Sequence, residues 1–350
     1  MQNRRNFIKS SGILTAFSLV PFSTLMANSD TQQSEPQTRI FPERLKEGDV
    51  IGLVTPGGPI KKEQLDKAVE KLEKLGFKTY YKETVLSQYG YFAGPDRERA
   101  DELMHMFTNK EVDGILCVRG GYGSIRILDM LDYDQIKENP KVFIGYSDIT
   151  ALITSINERT GLVAFHGPLG VSKFNEFTME SFERVLMNPK KRYKYQYQRD
   201  EDTESNPEFD LYTINPGKAE GELTGGNISV LDSMIGSKFN PDFENKIVYL
   251  EEIEEKTYRV DKMLFHLLYA TNLKKASGIV LGVFGDCNIN DEPRLTLREA
   301  LDDLLKPLDM PIFYGFSFGH IGKIITIPTG VNARMNADKK SLKLLEQAVL

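Results

Sequence analysis

Ser124 closes the run Arg119-Gly120-Gly121-Tyr122-Gly123-Ser124, directly after the apolar stretch 114–118 and at the start of a helical pattern. A serine on a glycine-rich turn between strand and helix is how a nucleophile is presented: its hydroxyl stands clear, and nearby backbone N–H groups face a developing oxyanion. The glycines supply the positive φ and close backbone approach that such a turn needs. Two other readings compete. The loop could cradle a phosphate, although no Gly-Lys-Ser/Thr follows and the spacing is not G-x-G-x-x-G. Or Ser124 could simply cap the helix. Two further serines imitate the pattern. Ser317 in Gly315-Phe316-Ser317-Phe318-Gly319 fits G-x-S-x-G, but the segment 321–328 after it is β-branched and ends in proline, so the strand–turn–helix context fails. Ser147 in Gly145-Tyr146-Ser147-Asp148 lacks the third-position glycine and reads as a helix cap.

A serine nucleophile needs a base, and a base needs an orienting carboxylate. Of the four histidines, His105 and His266 lie mid-helix among apolar neighbours, where a packed or surface role is usual. His166 ends a strand before Gly167-Pro168 and is a rival. His320 follows a strand and a glycine-bearing loop, the right place for a base that reaches across a cleft. Glu251 follows Ile247-Val248-Tyr249-Leu250 and so emerges where a strand ends, with Glu252, Glu254 and Glu255 close behind. Four clustered glutamates also read as a solvated edge.

These residues must be held by elements, and the pattern supplies them. From residue 49 to about 171, short apolar runs (50–54, 114–118, 142–144, 162–165) alternate with helical periodicity such as Leu65, Ala68, Val69, Leu72 and Leu75 closed by Gly76. Strand–helix alternation predicts a doubly wound, mostly parallel α/β sheet with its active loops at the carboxyl ends of the strands. The expected division is an N-terminal α/β domain over 43–190 carrying Ser124, an aperiodic connection over 191–217, and a smaller mixed α/β domain over 218–345 carrying the glutamate and histidine. Its strands fall at 247–250, 278–283 and 312–314, and its helices near 260–269 and 295–305.

Composition narrows the class. The 350 residues are 40% apolar and 27% charged, with 44 basic against 50 acidic side chains. That is a globular composition without the basic excess of a nucleic-acid binder. Cys117 and Cys287 cannot build a disulfide framework, and the histidines contain no H-E-x-x-H pair, so no metal is expected. Residues 1–29 stand apart. Arg4, Arg5 and Lys9 are their only charges, and an uncharged, mostly apolar stretch runs to Ala27, interrupted by Pro21. A basic start, a short apolar run and a small residue at its end make an export signal rather than a bilayer span. Arg4-Arg5-Asn6-Phe7-Ile8-Lys9 resembles a twin-arginine signal. The mature chain, at a net charge of −9, is expected outside the cytoplasm, in the periplasm, with no stable membrane span.

Read in order, the turn ending at Ser124, Gly225-Gly226-Asn227, Leu250-Glu251-Glu252-Ile253 with Tyr258-Arg259-Val260-Asp261, Gly285-Asp286-Cys287 and Phe318-Gly319-His320 resemble the L,D-carboxypeptidases of the murein tetrapeptide carboxypeptidase family, relatives of the microcin C immunity proteins. The resemblance implies a class I amidotransferase-like first domain and a Ser124–Glu251–His320 triad, with Glu252 as the rival acid. It also implies removal of the terminal D-alanine from a murein tetrapeptide, with no cofactor. On that mechanism the Ile125 N–H is the first oxyanion donor, since it follows the nucleophile. Gly94, in a loop preceding a helix on the same side of the sheet, is the second. Arg119 is a candidate to hold the substrate carboxylate or else to buttress the turn. Tyr122, Asn227 and Asp286 are candidates to line the cleft, Asn227 with helix capping as its other reading. Expected partners are murein peptides, with a homodimer left open. The alternatives are a hydrolase of peptidyl or aminoacyl nucleotides and a non-catalytic wall-binding protein.

Overall fold

The computed structural model describes residues 38–199, 203, 206–287 and 295–350; the leader lies outside them. The first unit runs β1 (Val50–Val54), α1 (Lys62–Lys74), β2 (Lys78–Tyr80), α2 (Asp96–Thr108), β3 (Gly114–Cys117), α3 (Tyr133–Glu138), β4 (Val142–Gly145), α4 (Thr150–Thr160), β5 (Ala164–His166) and α5 (Glu176–Phe182). β6 (Tyr193–Lys194), β7 (Tyr212–Asn215), β8 (Lys218–Asn227), α6 (Ile228–Met234), β9 (Ile247–Ile253), α7 (Thr257–Ala270), β10 (Gly278–Gly285) and α8 (Leu297–Leu305) follow. β11 (Ile312–Tyr314), β12 (Ile327–Thr329), β13 (Asn332–Asn336) and β14 (Ser341–Leu344) complete the chain.

The expected α/β class holds. The first sheet has the order β12-β5-β4-β3-β1-β2, with β1 to β5 all parallel. Crossover helices cover such strands on both faces, which is why β3 and β4 are buried at every position. The helices follow from their apolar spacing. Leu65, Ala68 and Leu72 of α1 are buried while the charged positions between them face out. In one place the expected helix takes another form. Residues Ser124–Met130 wind as a 3₁₀ helix, because Asp132 caps a new helix at once by accepting the Gln135 N–H at 3.0 Å.

The second half differs from expectation in three ways. Its sheet is the larger one, eight strands in the order β6-β14-β13-β8-β9-β10-β11-β7, with β8 to β11 parallel. The supposed connection contributes two of those strands, β6 and β7, which are edge strands too short and too exposed to show alternation in sequence. And β12, far along the chain, leaves its own half to pair antiparallel with β5, Ile327 opposite His166. The two halves therefore share a sheet edge as well as an apolar core, in which Leu53 and Phe165 join Tyr249, Phe318 and Ile327. Among the described residues, no helix is long and apolar enough to cross a membrane.

Candidate active site

The turn that ends in Ser124 leaves β3 and is pressed between two neighbouring loops. The Gly58 N–H of the β1 loop donates to Gly120 O at 2.8 Å. Gly123 has φ +136°, and a Cβ there would lie 2.8 Å from the Phe92 ring, so only glycine can bring the chain into this corner. On the other side stands the loop after β4, where Asp148 accepts the Ser124 N–H at 2.9 Å and the Gly123 N–H at 3.3 Å. Burial pushes the Asp148 carboxyl up, against those contacts and the charge of Arg99. Ser124 itself is fully buried and its hydroxyl makes no hydrogen bond.

The glutamate–histidine pair comes from the other sheet. Side chains alternate along β9, so Tyr249 and Glu251 share one face and Val248, Leu250 and Glu252 the other. The first face meets Phe318 and the first sheet, and the second meets α6 and α7. Glu251 is wholly buried, and its Oε2 lies 2.9 Å from His320 Nδ1. Glu252 is held elsewhere: Asn227 Nδ2 and the Ser229 N–H donate to it at 2.9 and 2.8 Å. Contrary to the expectation of a strand terminus, Glu251 lies inside β9.

His320 is brought to Glu251 by the segment after β11, which runs beside β10 with the Val283 N–H donating to Phe318 O at 3.0 Å. Gly319 makes this approach possible. It has φ +115°, and a Cβ there would stand 2.7 Å from Val283 O and 3.4 Å from Glu251 Oε2. Burial pushes Glu251 up and His320 down, but their mutual attraction and hydrogen bond outweigh it. The carboxylate is held below its ordinary range and the imidazole above its own. With Nδ1–H donated to Glu251, the neutral ring keeps Nε2 as its acceptor.

One loop touches both halves of this arrangement. The Tyr146 ring packs edge-on against His320, centroids 4.9 Å apart, while Asp148, two residues on, binds the Ser124 amide. The structure thus holds the glutamate–histidine bond and sets the serine turn against the same loop, without a bond from serine to histidine. In unliganded sites such bonds commonly tighten only around substrate.

The other predicted residues divide. Arg119 donates to Pro59 O at 3.0 Å and so buttresses the turn. Asn227 is buried and caps α6, accepting from the Val230 N–H at 3.2 Å, while it also holds Glu252. Tyr122 is exposed beside the turn. Asp286 is exposed too, with its N–H on Glu208. Ile125 follows Ser124 at the start of the 3₁₀ helix, where N–H groups lack an intrahelical carbonyl. Gly94, where an added Cβ would run into the Glu98 carboxylate, accepts at its carbonyl from Arg99 Nε. Ser317 is bonded both ways to the Gln198 backbone, which removes it as a nucleophile. Of the spare histidines, His105 meets the Tyr80 hydroxyl and His266 meets Asp232. His166 is buried among Tyr146, Tyr249 and Phe318, and burial pushes it down to about 4, which keeps it neutral. Among the described residues no group of three or more His, Cys, Asp or Glu side chains could hold a metal.

Sequence reasoning missed Arg99. It is 1% exposed, and its guanidinium joins Pro56 O, Gly94 O and Gly123 O, tying the β1 loop, the α2 entry and the nucleophile turn together. In sequence it sits in Asp96-Arg97-Glu98-Arg99, which reads as a solvated charge run.

Residues 51–167 match the LD-carboxypeptidase N-terminal domain and residues 220–335 the LD-carboxypeptidase C-terminal domain. The chain belongs to the LD-carboxypeptidase family. It is 38% identical over 301 residues to a protein described as a probable murein peptide carboxypeptidase of Bacillus subtilis, covering 86% of this chain and 92% of that one. The microcin C7 self-immunity protein of Escherichia coli is 30% identical over 328 residues, covering 86% and 94%. The solved muramoyltetrapeptide carboxypeptidase from Oxalobacter formigenes shares 29% identity, covers 84% of this chain and 97% of its own, and has a TM-score of 0.73. This family member is thus an enzyme, a serine-type peptidase, which sets aside the non-catalytic wall-binding alternative.

Proposed function

We propose that this enzyme removes the terminal D-alanine from murein tetrapeptide, with Ser124 as nucleophile, His320 as base and Glu251 as its orienting acid. The observation that carries the reading is the buried Glu251–His320 bond of 2.9 Å, set against the loop that also binds the Ser124 amide. His320 Nε2 takes the Ser124 proton as Oγ attacks the scissile carbonyl, and returns it to the departing D-alanine nitrogen. Water then attacks the acyl-enzyme, with the same ring as base. Glu251 holds the imidazole in the required tautomer and stabilises the imidazolium. The Ile125 N–H meets the oxyanion, with Gly94 as the second donor. Arg119 buttresses the turn from which this happens.

Export belongs to the same proposal, since the leader with Arg4 and Arg5 would deliver the mature chain to the wall. The test is direct: the mature protein, incubated with purified tetrapeptide, yields tripeptide and free D-alanine, and Ser124→Ala yields neither. Failure of the wild-type protein to release D-alanine overturns the proposal. A second reading, hydrolysis of an aminoacyl nucleotide, draws support from the likeness to a solved self-immunity protein at TM-score 0.81 and 28% identity. Competition between tetrapeptide and an aminoacyl sulfamoyl adenylate separates the two.

A further inference from the structure

One buried histidine has no part in the chemistry proposed so far. His166 is the last residue of β5 and is 2% exposed. Gly145 of β4 pairs with it on one side and Ile327 of β12 on the other. Three rings pack against it, Tyr249 at 5.3 Å and Phe318 at 6.0 Å, both edge-on, and Tyr146 at 5.8 Å, centroid to centroid. The same rings border the glutamate–histidine pair. Tyr249 stands two residues before Glu251 on the same face of β9, Phe318 stands two before His320, and Tyr146 packs on the His320 ring. His166 therefore lies behind the pair, within reach of the charges of both residues. A nest of rings suits phenylalanine, and a histidine there costs stability unless its polar atoms are used. Among the described residues, neither the buried His166 Nδ1 nor the buried Glu251 Oε1 makes a hydrogen bond, and Oε1 is the oxygen that His320 does not use.

We infer that His166 is a positioning residue for Glu251: with its proton on Nδ1, the neutral ring supplies the donor for Glu251 Oε1 through one bridging water, so the carboxylate is held at both oxygens while Oε2 orients His320. The inference rests on the proposed triad and adds a member behind it. A carboxylate oxygen only accepts and a protonated ring nitrogen only donates, so the two atoms complement each other. Two buried polar groups that lack a direct partner are commonly joined by such a water. Asn227 also borders the Glu251 carboxylate, but its Nδ2 donates to Glu252 at 2.9 Å. The charge state fits the role. A charged His166 would compete with the His320 imidazolium for the one carboxylate, and burial, which pushes His166 down to about 4, prevents that. Tyr146 and Tyr249, the other titratable groups against the ring, are pushed up by burial and stay neutral as well. A neutral donor fixes the carboxylate without cancelling its charge.

The test is His166→Phe, which fills the same nest and removes the donor. A packing role predicts a lower melting temperature and ordinary turnover. The positioning role predicts the opposite: the variant melts at or above the wild-type temperature, while kcat on tetrapeptide falls about 30-fold at unchanged KM. His166→Gln, whose amide donates, recovers kcat to within about threefold of wild type. Without the donor the charge on Glu251 is less dispersed and favours the imidazolium, so the acid limb of kcat/KM moves to higher pH by about half a unit. Wild-type kcat with an unmoved limb in folded His166→Phe overturns the role, as does a loss that His166→Gln does not recover. If the wild-type enzyme cleaves no tetrapeptide, the triad reading fails by itself, and NMR titration of the His320 ring without substrate still decides. A higher titration in His166→Phe sustains the role and an unchanged one ends it. The wild-type protein supplies a further check that needs no variant. Its ¹⁵N imidazole signals show a His166 ring that stays neutral with the proton on Nδ1, and a proton on Nε2 alone overturns the inference.

Discussion

The proton between Glu251 and His320 governs how this site responds to pH. His320 titrates above its ordinary value of 6.5 and Glu251 below its ordinary 4.5, each because the other carries the opposite charge. A base must be neutral to accept a proton, so kcat/KM falls as pH drops through a limb lying above 6.5. In Glu251→Gln that limb shifts to lower pH, which a pH–rate profile checks. The stability consequence has two signs. The raised histidine contributes fully below 6.5 and loses its contribution as pH rises through its folded value. The lowered glutamate contributes above 4.5 and loses its share as pH falls. The melting-temperature difference between wild type and Glu251→Gln is therefore largest between those two values. Kinetically, Ser124→Ala and His320→Ala each lower kcat by about 10⁶, and the double variant is little worse because they act as a unit. Glu251→Gln loses about 10⁴. Glu252→Gln, whose partners are Asn227 and Ser229, loses less than about tenfold and shows its effect mainly in stability. Silent Glu251→Gln with a damaging Glu252→Gln would reverse the assignment.

At the scale of elements, two residues hold the loops in place. Gly319→Ala puts a methyl group 2.7 Å from Val283 O on a backbone of φ +115°. The strain is about 1–3 kcal/mol, and relief of it moves His320 away from Glu251. The expected result is a melting temperature lowered by several degrees together with a loss of kcat larger than that of KM. Wild-type kcat in a folded Gly319→Ala would refute the close-approach argument. Arg99→Met removes the donor for three loop carbonyls and leaves Asp96 to Arg126 alone. Each unpaired buried group costs about 1–3 kcal/mol, so this single buried cation matters more to the nucleophile turn than any exposed ion pair. Denaturant unfolding of Arg99→Met measures it.

At the scale of the molecule, the site needs both halves. Ser124 hangs from the first sheet, Glu251 and His320 from the second, and β12 crosses back to cover the β5 edge. A fragment ending at Lys190 therefore lacks two members of the proposed triad and leaves β5 exposed. It is expected to be inactive and aggregation-prone, and size-exclusion chromatography with a tetrapeptide assay decides this. The leader makes a separate prediction: a reporter carrying residues 1–35 is exported, and Arg4→Lys/Arg5→Lys blocks it. Normal export of the double variant would remove the twin-arginine reading while leaving a general signal open.

Local chemistry was readable from the chain alone wherever it depends on near neighbours. Strand–helix alternation follows from apolar period, and it located the first sheet and the turn ending in Ser124. The failed context of Ser317 was equally local, and its bonds to Gln198 show why it is only a structural hydroxyl. What the chain alone left open were questions about which distant segments meet. Glu251 and Glu252 are adjacent in sequence, and only the pairing of β9 between β8 and β10 sends one to His320 and the other to Asn227. Asn227 carried both a cleft and a capping reading and Arg119 both a carboxylate-holding and a buttressing one, and only the packed structure shows the α6 cap and the contact with Pro59 O. Arg99 was invisible because a charge run looks solvated until three loops close over it. The strand pairing of β5 with β12, 161 residues apart at His166 and Ile327, has no local signal at all. Periodicity is fixed by bonds along the chain, whereas partnership is fixed by burial, and burial exists only once the sheets have packed.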